Sequence, residues 1–349
     1  MNAKILLLLV GLLPSITSAQ GFAGLGTEVD GFAVPERGTN FTFPQDHAAH
    51  PDFRIEWWYL TANLTDSAGR DYGVQWTLFR SASQPTGLPE DQLWMGHAAV
   101  TTEDTHYHAE RLARGATGQA GISQPLTAFI DDWSLATVAS GNKDLLSAID
   151  LTARGTEFAY RLNLTANGPL VAHGDQGYSV KSSSGQASYY YSQPFYTVMG
   201  TLNLPDGDID VTGTAWLDRE WSSQPLASDQ SGWDWFSLNL DSGDKLMAFR
   251  LRSTSGDDYT SGTWITADGT PTAIDNGAIE LSPIAQTTTH GREVPTSWSV
   301  KLPEKDLDIT VEAVQPDAWM DTLFPYWEGP VRITGSHGGR GYLEMTGYN

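Results

Sequence analysis

The residues best suited to chemistry lie in the run Gly213-Thr214-Ala215-Trp216-Leu217-Asp218-Arg219-Glu220-Trp221. Alternate side chains of an extended chain share a face, so Trp216, Asp218 and Glu220 project together. Two carboxylates framed by indoles are an odd content for a solvated strand. Apolar surroundings disfavour the carboxylate anion and raise its pKa, which makes an acid able to donate a proton near neutrality. The competing reading is a strand-end ion pair, with Asp218 or Glu220 held ionised by Arg219 or another arginine.

A second cluster is Ser188-Tyr189-Tyr190-Tyr191-Ser192-Gln193-Pro194-Phe195-Tyr196. Alternation puts Tyr189 and Tyr191 on one face and Tyr190 on the other. Phenols lining a cavity bond a ligand or stabilise cationic character through the ring quadrupole; ordinary barrel packing explains them equally. Arg54-Ile55-Glu56-Trp57-Trp58-Tyr59 again sets a carboxylate, Glu56, beside two indoles, Trp57 and Trp58. Its alternative is a core strand whose Glu56 meets an arginine. His97, within Trp94-Met95-Gly96-His97-Ala98, is a lone histidine in an apolar run, facing either a ligand or a satisfied core partner.

Other chemistries lack their residues. Asp46-His47-Ala48-Ala49-His50 and His106-Tyr107-His108 have ligand-like spacing, but no third ligand completes either set, so no metal is expected. There is no cysteine, which excludes disulfides, thiolate nucleophiles and iron–sulfur clusters. No G-x-S-x-G elbow is present, and the glycine-rich stretch 335–341 opens no helix that could cradle a phosphate. No cofactor is expected.

The elements that must position these residues read as short strands. Glu56–Leu64, a turn at Asp66–Arg70 and the alternating Val74, Trp76 and Leu78 form a hairpin. Phe158, Tyr160, Leu162 and Leu164 alternate with polar neighbours. Ile209, Val211, Ala215 and Leu217 share one face, opposite Thr212, Thr214, Trp216 and Asp218. Further strands are expected at 233–240, 245–251, 260–266, 297–302, 307–313, 331–334 and 341–346. With turns rich in Gly, Asp and Pro and no long amphipathic helix, the chain reads as all-β, a sandwich or barrel architecture. The polar stretch Ser222–Gly232 reads as a boundary between two halves or as a long functional loop.

Bulk properties agree. The 349 residues are 40% hydrophobic and 18% charged, too apolar for disorder and long enough for two domains. A net charge of −22 repels phosphate backbones and anionic lipids, so no nucleic-acid partner is expected. Met1–Ala19 carries Lys4, an apolar run from Ile5 to Leu13 and the small-residue site Thr17-Ser18-Ala19, the pattern of a cleaved export signal. A periplasmic or secreted location follows as the expectation.

Several motifs in order carry a resemblance. Ile55-Glu56-Trp57-Trp58-Tyr59, Trp94-Met95-Gly96-His97-Ala98-Ala99, Ala187-Ser188-Tyr189-Tyr190-Tyr191-Ser192, Trp216-Leu217-Asp218-Arg219-Glu220-Trp221, Gly232-Trp233-Asp234-Trp235-Phe236 and the run 341–348 together resemble the AttH-like branch of the carotenoid 1,2-hydratase (hydroxyneurosporene synthase) family. The resemblance spans roughly residues 40 to 349. It implies two tandem lipocalin-like antiparallel β-barrel domains, over 40–224 and 225–349. It also implies a hydrophobic isoprenoid, polyene or lipid ligand, and a link to ABC-transporter components. Hydratases of this family add water across a terminal isoprenoid double bond. Asp218 matches the position of their acid, with Trp216 two residues before it, while Tyr189 and Tyr191 stand where they place a His and a Trp. The resemblance makes Asp218 the proton donor of an acid-catalysed addition. The ligand-lining set is Tyr189, Tyr191, Trp216, Glu56, Trp57, Trp58, His97, Glu220 and Trp221. A non-catalytic lipid carrier and a secreted hydrolase are the alternatives.

Overall fold

The computed structural model describes residues 30–224 and 226–348. The expected export signal, Met1–Ala19, lies outside the described residues. A first antiparallel sheet contains β1 (Ile55–Thr65), β2 (Asp71–Ala82), β3 (Gln92–Thr101), β4 (His106–Arg114), β5 (Ala120–Ser123), β6 (Thr127–Ile130), β7 (Trp133–Thr137), β8 (Ala148–Arg154), β9 (Ala159–Ala166), β10 (Val171–Ala172), β11 (Tyr178–Val180), β12 (Ala187–Leu204) and β13 (Gly207–Ser222). A second contains β14 (Gln230–Leu240), β15 (Lys245–Ser253), β16 (Tyr259–Ile265), β17 (Pro271–Ile274), β18 (Glu280–Thr289), β19 (Arg292–Leu302), β20 (Leu307–Ala313), β21 (Trp319–Met320), β22 (Tyr326–Gly335) and β23 (Gly339–Met345). Among the described residues there is no α-helix.

The first sheet runs β4-β3-β2-β1-β13-β12-β9-β8-β7-β6-β5, with β10 and β11 on β12. Strand β6 meets β2, β3 and β4 across the interior, which curls the sheet into a barrel. The second runs β17-β16-β15-β14-β23-β22-β20-β19-β18, with β21 on β22. Each sheet encloses its own apolar cluster.

Local sequence explains the faces. In β9, Tyr160, Leu162 and Leu164 are buried between exposed Arg161, Asn163 and Thr165, the alternation of a strand with one wet face. Strand β13 changes character along its length. Its first half alternates, but every residue from Ala215 to Ser222 is buried. Ala215, Leu217 and Trp221 point into the barrel core, while Trp216 joins Tyr59, Tyr190, Trp235 and Phe249 between the sheets. In β12 the register shifts between Gln193 and Tyr196, around Pro194, which has no N–H to give the ladder. The bulge lets Tyr191 and Tyr196, an odd number of residues apart, both reach the barrel core.

The sheets meet outer face to outer face. Asn63 Nδ2 donates to the Gly341 carbonyl at 2.8 Å, and Arg332 pairs Asp71 at 2.6 Å. Gly73 makes close approach possible, since a Cβ there would stand 2.6 Å from the Pro330 ring.

Candidate active site between the two sheets

The junction leaves a cavity of about 70 Å³. Trp57, Asp218 and Glu220 line it from the first sheet; Trp233, Trp235 and Glu344 line it from the second. The register explains the first three: Trp57 lies opposite Glu220, and Tyr59 opposite Asp218, in the β1–β13 ladder.

Asp218 is 2% exposed. Its Oδ1 accepts from Trp216 Nε1 at 2.6 Å and from the Ser192 hydroxyl; its Oδ2 accepts from the Tyr190 hydroxyl at 2.7 Å. Burial pushes its pKa up. The three donors favour the anion and hold the rise to about 7, and the Glu220 charge adds to the rise. Tyr190 is fixed in turn, accepting from Trp235 Nε1 of the second sheet at 3.1 Å.

Arg219, the residue most able to keep Asp218 ionised, faces the other way. Its guanidinium lies 3.8 Å from the Trp58 ring centre, donates to the carbonyls of Trp57 and Ala48 at 2.6 and 2.7 Å, and pairs Glu56 at 3.2 Å. Glu220 bonds Lys181 at 2.8 Å and the Ser188 hydroxyl. The Lys181 ammonium also lies 4.4 Å from the Phe249 ring centre.

Glu344 completes the set. It accepts from Trp233 Nε1, as Asp218 accepts from Trp216. Burial pushes its pKa up to about 7, against the pull of that indole N–H and with the push of the Asp218 and Glu220 charges. Glu328 faces Glu344 across the β22–β23 ladder and accepts from the Tyr59 hydroxyl at 2.5 Å. Burial, reinforced by the Glu344 charge, raises its carboxyl well above the usual range.

Behind Asp218 stands a histidine. His173 Nε2 is 2.6 Å from Ser192 Oγ, and His173 Nδ1 is 2.9 Å from Thr263 Oγ1 on β16. Burial brings its pKa down to about 3, so the imidazole is neutral. In a serine-hydrolase triad the carboxylate orients the imidazole. Here the carboxylate holds the serine, and Ser192 does not line the cavity.

The structure therefore brings Asp218, Trp216, Trp57 and Glu220 together. His97 sits farther along the junction, between Tyr326 at 2.9 Å and Glu110 at 3.1 Å, and burial lowers its pKa. The remaining candidates lie elsewhere. Tyr189 bonds Thr39 at 2.7 Å, and Tyr191 bonds His47 at 2.7 Å, both on the barrel side. Trp58 lies inside the barrel, and Trp221 stacks on His50 with ring centres 3.8 Å apart. Glu56 is buried among Arg80, Arg219 and His50. Burial alone would raise its pKa; Arg80, then His50 and Arg219, hold it well below the usual carboxylate range.

Reading from sequence missed Glu344, Glu328, Lys181 and the direct role of Tyr190. A signal existed: Tyr326-Trp327-Glu328 repeats the indole–carboxylate adjacency that singled out Glu56 and Glu220.

The fold is shared with solved structures. An AttH-type protein from Nitrosomonas europaea superposes with a TM-score of 0.81 at 34% identity, covering 91% of this chain and 99% of that one. Kievitone hydratase from Nectria haematococca superposes with a TM-score of 0.67 at 16% identity, covering 90% and 97%. CghA superposes with a TM-score of 0.51 at 11% identity, covering 85% and 88%. No protein of curated function matches the sequence. The family model described as AttH-like matches residues 34–348.

Proposed function

The chain belongs to the AttH-like family, and from the junction cavity we propose that it adds water to an apolar alkene by acid catalysis. The observation that carries this reading is the pair Asp218, buried, and Glu344, half-buried, each bonded to an indole N–H and each with its pKa raised to about 7 on the wall of one small cavity. An alkene has no lone pair to polarise, so hydration begins with proton transfer to carbon. Protonated Asp218 gives its proton to the less substituted carbon, and the π pair forms the new C–H bond. The adjacent carbon becomes a tertiary cation facing the π clouds of Trp57, Trp233 and Trp235. Water adds to the cation, and ionised Glu344 removes the proton from the resulting oxonium. The product is a tertiary alcohol. Proton transfer from Glu344 back to Asp218 closes the cycle. Two carboxyls titrating near neutrality make the state with one proton between them well populated at pH 7.

Ser192 and Tyr190 aim the Asp218 carboxyl, and neutral His173 holds Ser192 in place. Among the described residues no cation bonds Asp218, which supports the donor role: Arg219 is committed to Glu56, and Lys181 to Glu220. One protein of this fold is a hydratase. The export pattern of Met1–Ala19 supports action outside the cytoplasm, in the periplasm or the medium.

The test is incubation with an isoprenoid alkene, farnesol, in heavy-oxygen water. Mass spectrometry should find the label in a tertiary alcohol with the wild-type protein and not with Asp218→Asn. Farnesol that binds and returns unlabelled from the wild-type protein would overturn the reading and favour a carrier.

A further inference from the structure

The cavity beside Asp218 is far smaller than the hollow next to it. An apolar groove of about 580 Å³ lies on the outer face of β1–β4. Ile55 and Phe79 border both spaces. Cross-strand register aligns their lining on one face of the sheet. Glu220 on β13 lies opposite Trp57 on β1, Trp57 opposite Phe79 on β2, Phe79 opposite Met95 on β3, and Met95 opposite Leu112 on β4. Opposed residues share a face of the sheet. Beyond Glu220 the row is thus four apolar side chains in file, spanning about 14 Å from Trp57 to Leu112 at ~4.8 Å per strand.

The outer end of this row is wet. Leu93, Leu112 and Leu323, exposed by 47%, 51% and 60%, all border the groove. Exposed large apolar side chains gathered at one site mark a binding surface more often than scattered ones do. The segment 321–325 overhangs the groove and is pinned there, since the Leu323 backbone N–H donates to Glu110 Oε1 at 3.0 Å.

We infer that this groove holds the hydrocarbon tail of the ligand whose reacting end lies at Asp218, so that the ligand carries a long linear hydrocarbon chain running across β1 to β4. The inference rests on the proposed reading only for which end reacts. A tail in the groove and a double bond in the cavity fit the two volumes: the inner space admits the end of a chain, and the outer one its length. Ile55 and Phe79 form the threshold between them. Leu112 and Leu93 bind the tail, and Leu323 roofs it.

The experiment is chain-length dependence of binding, measured by tryptophan quenching with geraniol, farnesol and geranylgeraniol, compounds that differ only in tail length. Each added isoprene unit buries further apolar area in the groove, so affinity should rise by about tenfold or more per unit. Leu112→Glu places a charge in the tail's path at an exposed position compatible with folding. It should collapse the ratio of geranylgeraniol to geraniol affinity to about one. Leu323→Lys should shrink the same ratio. Asp218→Asn should leave the ratio as in wild type, so full hydration retained in Asp218→Asn with the ratio intact would sink the catalytic reading alone. An equal ratio in Leu112→Glu and wild type overturns the groove assignment. So does an unchanged ratio accompanied by lost binding to phosphatidylcholine vesicles, which would give the face to a membrane.

Discussion

Glu56 and Asp218 lie on neighbouring strands, both buried and both flanked by tryptophans, yet they have opposite electrostatic fates. Glu56 faces the barrel end, where Arg80, Arg219 and His50 converge on it and keep it ionised. Asp218 faces the second sheet, where the donors among the described residues are the neutral Tyr190, Ser192 and Trp216, and burial lifts it to about 7. The difference teaches that indoles around a carboxyl do not decide its charge. Cations do, and period-2 geometry sends Arg219 to one face and Asp218 to the other. One carboxylate became a structural anchor and the other a candidate acid.

Breaking the comparison on the Asp218 side should have the largest effect. Asp218→Asn removes the transferable proton and keeps the shape, so the hydration rate should fall by about 10²–10⁴-fold, read by heavy-oxygen incorporation, with the circular dichroism spectrum unchanged. Breaking it on the Glu56 side should act on stability. Arg80→Met removes the strongest of the charges holding buried Glu56 and should cost about 3 kcal/mol in urea unfolding. Gly73→Val, which forces a side chain against Pro330 between the sheets, should cost about 1–3 kcal/mol by the same measurement.

The pH dependence of stability sharpens the contrast. Asp218 ionises near 3.8 when unfolded and near 7 when folded. Between these values the unfolded chain has released a proton that the folded chain retains, so this group lowers stability as pH rises through that window. Asp218→Asn removes the slope, and its stability relative to wild type should increase from pH 4 to pH 7. Glu56 works in the other sense. Its folded pKa is depressed, so its contribution is present above its unfolded value of 4.5 and is lost as pH falls through the folded value. Glu56→Gln should therefore be least damaging in acid. Denaturant titrations of both variants across pH check the two signs.

Much of the fold was legible because solvent leaves a pattern. The alternation at Tyr160–Leu164 follows from a strand with one wet face, whereas the shared face of Trp216, Asp218 and Glu220 follows from period-2 geometry alone, since that half of β13 is buried on both sides. The pattern fails where both faces are dry. The start of β22, Tyr326 to Val331, is buried throughout, so periodicity gave no sign of Glu328. Glu344 needed knowledge of which sheets meet, which no local pattern carries. Tyr189 and Tyr191 were placed on one face as alternation requires, but that face is the barrel core, and the partner of Asp218 is Tyr190 between them. Glu56 and Asp218 looked alike in sequence because the cations that separate them come from β2 and from the opposite face of β13.

The most direct test is the protonation state of the junction carboxyls. Infrared spectra of the protein in heavy water, taken from pH 5 to pH 9 and subtracted between wild type and Asp218→Asn, isolate the Asp218 C=O stretch. The account predicts a protonated carboxyl band at pH 5 that titrates away with a midpoint near 7. A difference spectrum showing only carboxylate down to pH 5 would contradict it.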